Sequence, residues 1–234
     1  EQYTSSVNGR VKAAWVYTPP TYDQNPDKRY PVLYIQHGVG ENETGWIWQG
    51  KLNYIADNLI AEGKCEEMII VVNSGYAFVD GQIDMFLPGD FDRELVHDCI
   101  PFIDKKFRTL TDKDHRAIAG LSLGSAQAFT IGLAHRKDTF SYVGVFSGGV
   151  AAKSAFGGYD MTDVFADGEA FNRDIKLLFV SWGTHEPMGE HNAEFLDQIE
   201  REQGIKAVRH THEGWHEWDV WRYAAHAYMQ LLFK

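Results

Sequence analysis

The chain has 234 residues, which is enough for one sizeable hydrophobic core. Its formal net charge of −11 argues against a nucleic-acid or anionic-membrane partner, because both require basic patches. No stretch approaches the ~20 apolar residues that span a bilayer. We therefore expect a globular domain. Its charge is compatible with a neutral or cationic substrate, but the simpler interpretation is that the charge only keeps the protein soluble.

The sequence shows no repeat, low-complexity tract or Pro/Gly/Ser linker, so we predict one domain over residues 1–234. The first residues carry neither a basic nor an apolar signal region, which favours a mature form or an excised domain. Cys65 and Cys99 are too few for a disulfide scaffold. One bridge between them is compatible with the sequence, but burial as small apolar side chains is favoured.

Apolar β-branched runs alternate with helical patterns along the chain, which predicts a mostly parallel sheet with helices on both faces. The predicted strands are 11–17, 31–36, 68–72, 115–119, 142–146, 177–181 and 207–212. The predicted helices are 52–62, 91–107, 122–134, 190–203 and 218–233. We expect Pro101 to break or kink the second helix. Residues 147–173 show no period, so we predict an irregular excursion that shapes a substrate cleft.

The segment Gly120-Leu121-Ser122-Leu123-Gly124 fits the G-x-S-x-G pattern of a nucleophile elbow. A short predicted strand leads into it and a helix of small residues follows, as the pattern requires. Ser122 would then project from the carboxyl edge of the sheet, near a helix N-terminus that favours developing negative charge. The sequence thus predicts an α/β-hydrolase fold with Ser122 as nucleophile. The alternative is a helix that is merely N-capped by Ser122 or Ser125.

His37-Gly38-Val39-Gly40 follows the predicted strand 31–36, where this fold turns backbone N–H groups towards the reacting carbonyl. We predict that the N–H groups of Val39 and Leu123 form the oxyanion hole. Gly38 competes with Val39 as the second donor. A plain glycine turn is the other interpretation, and we expect His37 to hydrogen-bond the loop backbone.

The general base has to be chosen among ten histidines by position. In this fold the order along the chain is Ser, then Asp or Glu, then His. His216 lies in the predicted loop between the last strand and the last helix, from which it could reach Ser122. We therefore predict His216 as the base, with His212 as its main rival.

The acid should follow the preceding strand, 177–181, and Glu186 is the carboxylate best placed there. Glu190 and Asp163 are the alternatives, and Glu186 could also be an ordinary solvated loop residue. No histidine cluster has the spacing of a metal site, so we expect no metal and no cofactor.

Several segments make the chain resemble the family one carbohydrate esterases, most closely their feruloyl esterase domains. Residues 15–23 read Trp-Val-Tyr-Thr-Pro-Pro-Thr-Tyr-Asp, and residues 214–218 read Gly-Trp-His-Glu-Trp. The other matching segments are 29–34, 37–40, 55–64, 101–104 and 119–124. The resemblance covers nearly the whole chain outside residues 147–173.

The resemblance implies hydrolysis of feruloyl or p-coumaroyl esters of plant-wall xylan, and a secreted enzyme that is often one module of a larger xylan-degrading protein. Ser122 and His216 match the nucleophile and base of the family, whereas Glu186 stands where the family usually has Asp. The family also includes acetylxylan esterases, and a peptidase, a siderophore esterase or a silent carbohydrate-binding protein are more distant alternatives. An aromatic acyl group would suit the residues expected at the cleft, which are Gly38, Trp46, Trp48, Phe86, Trp182 and Trp215. We expect Trp221 in the core.

Overall fold

A central sheet organises the chain in the computed structural model, which describes residues 1–81, 84–154 and 159–234. The strands are β1 (Gln2–Thr4), β2 (Val11–Tyr17), β3 (Val32–Gln36), β4 (Ile69–Asn73), β5 (Arg116–Leu121), β6 (Tyr142–Phe146), β7 (Lys153–Ser154), β8 (Tyr159–Asp160), β9 (Leu177–Gly183) and β10 (Val208–His212). The α-helices are α1 (Gly45–Trp48), α2 (Leu52–Ala61), α3 (Phe91–Glu94), α4 (Ile100–Lys106), α5 (Leu123–Ala134), α6 (Thr162–Phe165), α7 (Gly168–Asp174), α8 (Met188–Gln203) and α9 (Trp218–Met229).

The main sheet runs in the order β1-β2-β4-β3-β5-β6-β9-β10 within the described ranges. β1 and β2 are antiparallel to their neighbours, and the other strands are parallel. Consequently β3, β5, β6, β9 and β10 all end at the same edge. In open sheets with helices on both faces, ligands bind beyond the carboxyl ends of the strands.

Two apolar layers cover the sheet, and β3 shows how the sequence builds both. Val32 and Tyr34 point into one layer, while Leu33 and Ile35 point into the other, because side chains alternate along a strand. All four are fully buried. Helices α4, α5 and α8 contribute to the first layer, and α2 and α9 to the second. The predicted mostly parallel sheet with helices on both faces is confirmed.

The helix continues through Pro101, where a break or kink is predicted, and widens into a π-helical turn just before it. A π-helical turn, Leu95–Cys99, joins α3 to α4, and the N–H of Ile100 donates to the carbonyl of Leu95. Pro101 has no N–H to donate, and its ring would clash with the carbonyl four residues before it. The wider turn is one way in which helices absorb such a disruption without ending.

The predicted irregular excursion, 147–173, contains regular elements in its described part. Strands β7 and β8 pair as a short antiparallel hairpin, and α6 and α7 follow them. Residues 155–158 of this segment lie outside the described residues. These four elements are each two to seven residues long, which is too short to show a period in the sequence.

The two cysteines are free thiols. Cys99 is fully buried in the layer that contains α4, whereas Cys65 packs partly against the layer on the opposite face. The sheet therefore separates them, and burial raises the pKa of both thiols. No helix in the described part of the chain is long and apolar enough to cross a membrane.

Candidate active site

Ser122 occupies a strained turn between β5 and α5. Its backbone has φ 54° and ψ −118°, a region that side-chain-bearing residues rarely adopt. Its N–H donates to the carbonyl of Phe146 on β6, over 3.0 Å, which holds the turn against the neighbouring strand. Such strain costs on the order of 1–3 kcal/mol and is concentrated at functional sites.

Two glycines allow this turn to pack tightly. A Cβ on Gly120 would lie 2.2 Å from the carbonyl oxygen of Gly124, and a Cβ on Gly124 would lie 2.4 Å from that of His37. Both contacts are with backbone atoms, which have little freedom to move away. The glycines therefore bring α5 against the ends of β5 and β3, and place Ser122 beside the loop that follows His37.

The buried ring of His37 fixes the backbone of that loop through two hydrogen bonds. The N–H of Gly75 donates to Nε2 of His37 over 2.9 Å, so Nδ1 carries the proton and donates to the carbonyl of Gly38 over 2.8 Å. Burial lowers the pKa of His37, which keeps the ring neutral. A trans peptide points its C=O and N–H in opposite directions. Fixing the carbonyl of Gly38 thus fixes the N–H of Val39.

The N–H of Gly38 is already occupied, because it donates to Oε2 of Glu41 over 3.0 Å. Across residues 1–81, 84–154 and 159–234, the N–H groups of Val39 and Leu123 donate no hydrogen bond. Val39 also lines the cavity that contains Ser122. This arrangement favours Val39 over Gly38 as the second donor to an oxyanion.

Glu186 and His216 form a close, partly buried pair. Oε1 of Glu186 lies 2.6 Å from Nδ1 of His216, while Oε2 accepts hydrogen bonds from the Ser147 hydroxyl and the Gly183 N–H, each over 2.6 Å. The carboxylate is almost wholly buried. Burial by itself raises the pKa of Glu186, but these hydrogen bonds to the anion outweigh it and hold the pKa below its usual value.

Backbone hydrogen bonds tie the loop of Glu186 to the loop of His216. The N–H of Thr184 donates to the carbonyl of His212, and the N–H of His185 donates to that of Gly214. A Cβ on Gly183 would lie 2.4 Å from the carbonyl oxygen of Gly214. The carboxylate and the imidazole are thus positioned by one connected backbone unit.

A cavity of about 460 Å³ opens at the carboxyl edge of the sheet and brings the predicted nucleophile and base together. Its lining residues are Gly38, Val39, Glu41, Leu121, Ser122, His216, Glu217, Trp218 and Trp221. With Glu186 behind His216, the groups needed for nucleophilic acyl transfer surround one space.

The rival residues lie elsewhere. His212 stacks on Tyr223, with ring centroids 3.7 Å apart. Glu190 is exposed on α8 and lines a separate cavity of about 580 Å³, and Asp163 is exposed on α6. Within the described chain, the carboxylate that contacts His216 is that of Glu186.

The aromatic residues expected at the cleft lie at separate places in the structure. Trp46 is fully buried, and its indole N–H donates to the carbonyl of Gln36, so it offers no surface to a substrate. Trp182 is nearly buried and lines the second cavity. Phe86 is exposed on the loop after Asp84, outside the lining of the catalytic cavity, and Trp215 is exposed against the ring of His185.

Five residues for which the sequence predicted no role at the site also line the cavity, and one of them is Leu121, just before the nucleophile. Trp218 and Trp221 lie three residues apart on α9, so they share a helix face, and this face follows His216 directly. The i, i+3 spacing of two tryptophans directly after the predicted base is the sequence signal that could have identified them. Glu41 and Glu217 each adjoin a predicted functional segment.

A protein family and several known proteins are similar to this chain. The family model described as "Putative esterase" matches residues 4–228. An endo-1,4-beta-xylanase/feruloyl esterase of Xylanibacter ruminicola is 38% identical over 239 residues, which cover 99% of this chain. The match spans only 31% of that relative's length.

Solved structures show the same fold. A ferulic acid esterase superposes with a TM-score of 0.83 at 27% identity, covering 98% of this chain and 94% of its own. A ferulic acid esterase from Anaeromyces mucronatus gives a TM-score of 0.83 at 23% identity, covering 100% and 89%. The predicted α/β-hydrolase fold is confirmed. With the family model matching nearly its whole length, the chain belongs to the Esterase family.

Proposed function

We propose that this protein is a serine esterase that hydrolyses hydroxycinnamoyl esters, feruloyl and p-coumaroyl, of plant-wall xylan. One observation carries the proposal. The strained Ser122 and His216 line the same cavity, and Nδ1 of His216 is bonded to the buried carboxylate of Glu186. The similarity to proteins named feruloyl esterase supports the acyl group.

In the proposed acylation, Nε2 of His216 takes the proton from the hydroxyl of Ser122 as Oγ attacks the ester carbonyl. The carbonyl oxygen becomes an oxyanion and is bound by the N–H groups of Val39 and Leu123. As the intermediate collapses, the carbon–oxygen bond to the sugar breaks, and His216 gives its proton to the leaving sugar oxygen, which departs as a hydroxyl. Glu186 stabilises the imidazolium in between.

Deacylation repeats these steps with water in place of the serine hydroxyl. His216 takes a proton from water, the resulting hydroxide attacks the acyl carbonyl, and Ser122 leaves with the proton from His216. The products are free hydroxycinnamic acid and regenerated enzyme. No step requires a cofactor or a metal.

The cavity wall supports an aromatic acyl group. Trp218 and Trp221 meet edge to face, with centroids 5.2 Å apart, and both line the space beside Ser122. A cinnamoyl ring buried against such side chains would gain apolar burial and favourable ring–ring geometry. An acetyl group would leave most of this wall uncovered.

We further propose that residues 1–234 form a single esterase domain, that the protein is secreted, and that it acts on xylan beside other modules of a larger xylan-degrading enzyme. Both apolar layers lie on one sheet, which supports a single domain. The relative from Xylanibacter ruminicola is about three times as long as the matched region and is named for both xylanase and feruloyl esterase activity.

The proposal is tested by measuring kcat/KM for methyl ferulate and for 4-nitrophenyl acetate, with Ser122→Ala as control. Serine-dependent turnover of methyl ferulate is the expected result. Serine-dependent turnover of the acetate alone would retain the esterase and contradict the hydroxycinnamoyl specificity. Turnover of neither ester would contradict the proposed activity.

A further inference from the structure

Two tryptophans lie exposed side by side on the surface next to the cavity wall. Trp15 on β2 is 43% exposed and Trp48 on α1 is 63% exposed. Their ring centroids are 6.4 Å apart, and the ring planes meet at 69°, so the pair forms an angled notch. Large aromatic side chains grouped in solvent commonly mark a binding surface.

Helix α1 lies between this notch and the catalytic cavity. On its inner side, Trp46 meets Trp218 of the cavity wall edge to face, with centroids 5.2 Å apart. Gly45 and Gly50 also lie against Trp218, where a Cβ would approach within 3.6 and 2.8 Å of its ring. Trp48 lies at the opposite, exposed side of this short helix.

Polar groups connect the notch to the cavity. The side-chain amide of Gln49, next to Trp48, donates to Oε1 of Glu41 over 3.2 Å, and Glu41 lines the cavity with Ser122. Near Trp15, on the same side of β2, the hydroxyl of Tyr17 donates to Asp57 over 2.7 Å. Aromatic surface and hydrogen-bonding groups therefore continue outward from the reaction centre.

This combination matches the chemistry of a sugar chain. A pyranose ring presents C–H groups on its faces, which pack on an indole, and hydroxyl groups at its edges, which bond to carboxylates and amides. We propose that Trp15 and Trp48 bind the neutral polysaccharide to which the ester is attached, outside the catalytic cavity. This inference rests on the proposed function and locates the sugar side of its substrate.

A second copy of the chain fits this surface less well. Two tryptophan side chains bury at most about 500 Å² together. Stable protein interfaces bury about 1,200 Å² or more. The notch also lies on a protein of net charge −11, which a neutral sugar chain tolerates better than another copy of the same charge would.

The test compares Trp48→Ala, Trp15→Thr and the double variant with the wild type. Threonine suits the strand position of Trp15. Tyr223→Ala serves as a matched control, because Tyr223 is also exposed, at 52%, but lies on α9. The measurements are kinetics on methyl ferulate, kinetics on soluble feruloylated xylan, and retention in gels that contain unsubstituted xylan.

We expect the double variant to raise KM for feruloylated xylan about 3- to 10-fold and to lose retention by xylan, with methyl ferulate kinetics unchanged. Tyr223→Ala should be retained by xylan as the wild type is. Unchanged xylan retention and KM in the double variant would overturn the inference, as would altered oligomeric state by light scattering without altered xylan binding. Absence of ferulate turnover in the wild type would count against the proposed function, while xylan retention would still decide this inference.

Discussion

Glu186 folds back on its own strand to reach His216. Its backbone N–H donates to the carbonyl of Gly183 over 3.0 Å, and its Oε2 accepts the N–H of Gly183. This tight loop absorbs the extra methylene of Glu relative to Asp. Both carboxylate oxygens are bonded, so in the proposed mechanism the anion is held in one orientation beside the imidazole.

Ser147→Ala tests this arrangement, because it removes one hydrogen bond that holds the pKa of Glu186 down. A carboxylate with a lowered pKa stabilises the fold above its unfolded-state pKa, and this stability is lost as pH falls through the folded pKa. In the variant the pKa of Glu186 moves back up. We therefore expect loss of thermal stability to begin at higher pH than in the wild type, in melting profiles measured from pH 3 to 7.

Ser181→Ala is the matched control for that experiment. Ser181 is also buried, on the neighbouring strand β9, and its hydroxyl has no hydrogen-bond partner within the described residues. Removal of this hydroxyl should leave the loss of thermal stability at low pH as it is in the wild type. If Ser147→Ala and Ser181→Ala lost thermal stability at the same pH, the proposed effect of Ser147 on the pKa of Glu186 would be contradicted.

At the residue scale, motif and chain order predicted which side chains meet, whereas they did not predict which aromatics face the cavity. Ser122, Glu186 and His216 each follow a strand of the same sheet, so topology brings them to one edge. Trp46 and Trp48 lie on a helix of only four residues. A single turn shows no period, so the sequence does not reveal which of them points inward.

The loop between β3 and α1 depends on a second anchor besides His37. The hydroxyl of Tyr76 accepts the N–H of Gly40 over 2.9 Å, and its ring lies against that of His37, with centroids 5.3 Å apart. Gly40 has φ 75°, a conformation that favours glycine. The peptide groups on both sides of Val39 are therefore fixed, one by His37 and the other by Tyr76.

We predict that Tyr76→Phe lowers kcat about 3- to 10-fold with KM nearly unchanged, because in the proposed mechanism the N–H of Val39 binds mainly the oxyanion of the transition state. Steady-state kinetics on 4-nitrophenyl acetate measure both constants. Tyr54→Phe, a hydroxyl deletion at an exposed position on α2, should have no effect. A wild-type kcat for Tyr76→Phe would count against this anchor.

At the element scale, the long strands and helices were predicted closely, and the failures have local causes. Strand β5 extends to Leu121, so the elbow follows it without a linker. Proline chemistry indicated a disruption near Pro101, but the choice between a break and a π-helical turn depends on packing: Leu95, Cys99 and Ile100 are all buried in one layer.

At the scale of the whole molecule, negative charge surrounds the proposed reaction centre. The net charge is −11, and the cavity that holds Ser122 is also lined by Glu41 and Glu217. Clefts lined by one sign of charge change the local concentration of charged ligands and their association rates. Neutral esters should therefore enter more readily than anionic ones.

We predict that kcat/KM for the 4-nitrophenyl hemisuccinate anion is about 10-fold or more below that for 4-nitrophenyl acetate. The deficit should shrink as salt rises, because salt screens exposed charge. Glu41→Gln keeps an acceptor for the N–H of Gly38 and should raise turnover of the anionic ester selectively. Asp163→Asn removes an equal charge outside the cavity lining and should not; equal effects of the two variants would contradict a local field.

At the scale of the molecule, the sequence predicted the layered architecture because the buried strands read as continuous apolar runs. The five residues of β3 and of β4 are all buried. The position of the cavity follows from that topology. Its shape did not follow, because α9 forms one wall, and α1 packs behind that wall through contacts between residues far apart in sequence, such as Gly45 with Trp218.

The most direct test of the central claim is peptide mass spectrometry after labelling with a fluorophosphonate, which reacts with activated serines. We predict a single adduct on Ser122, slower labelling in His216→Ala, and no adduct in Ser122→Ala, together with a fall in kcat of about 10⁶-fold in that last variant. An adduct on another residue, or labelling and ester turnover that persist in Ser122→Ala, would contradict it.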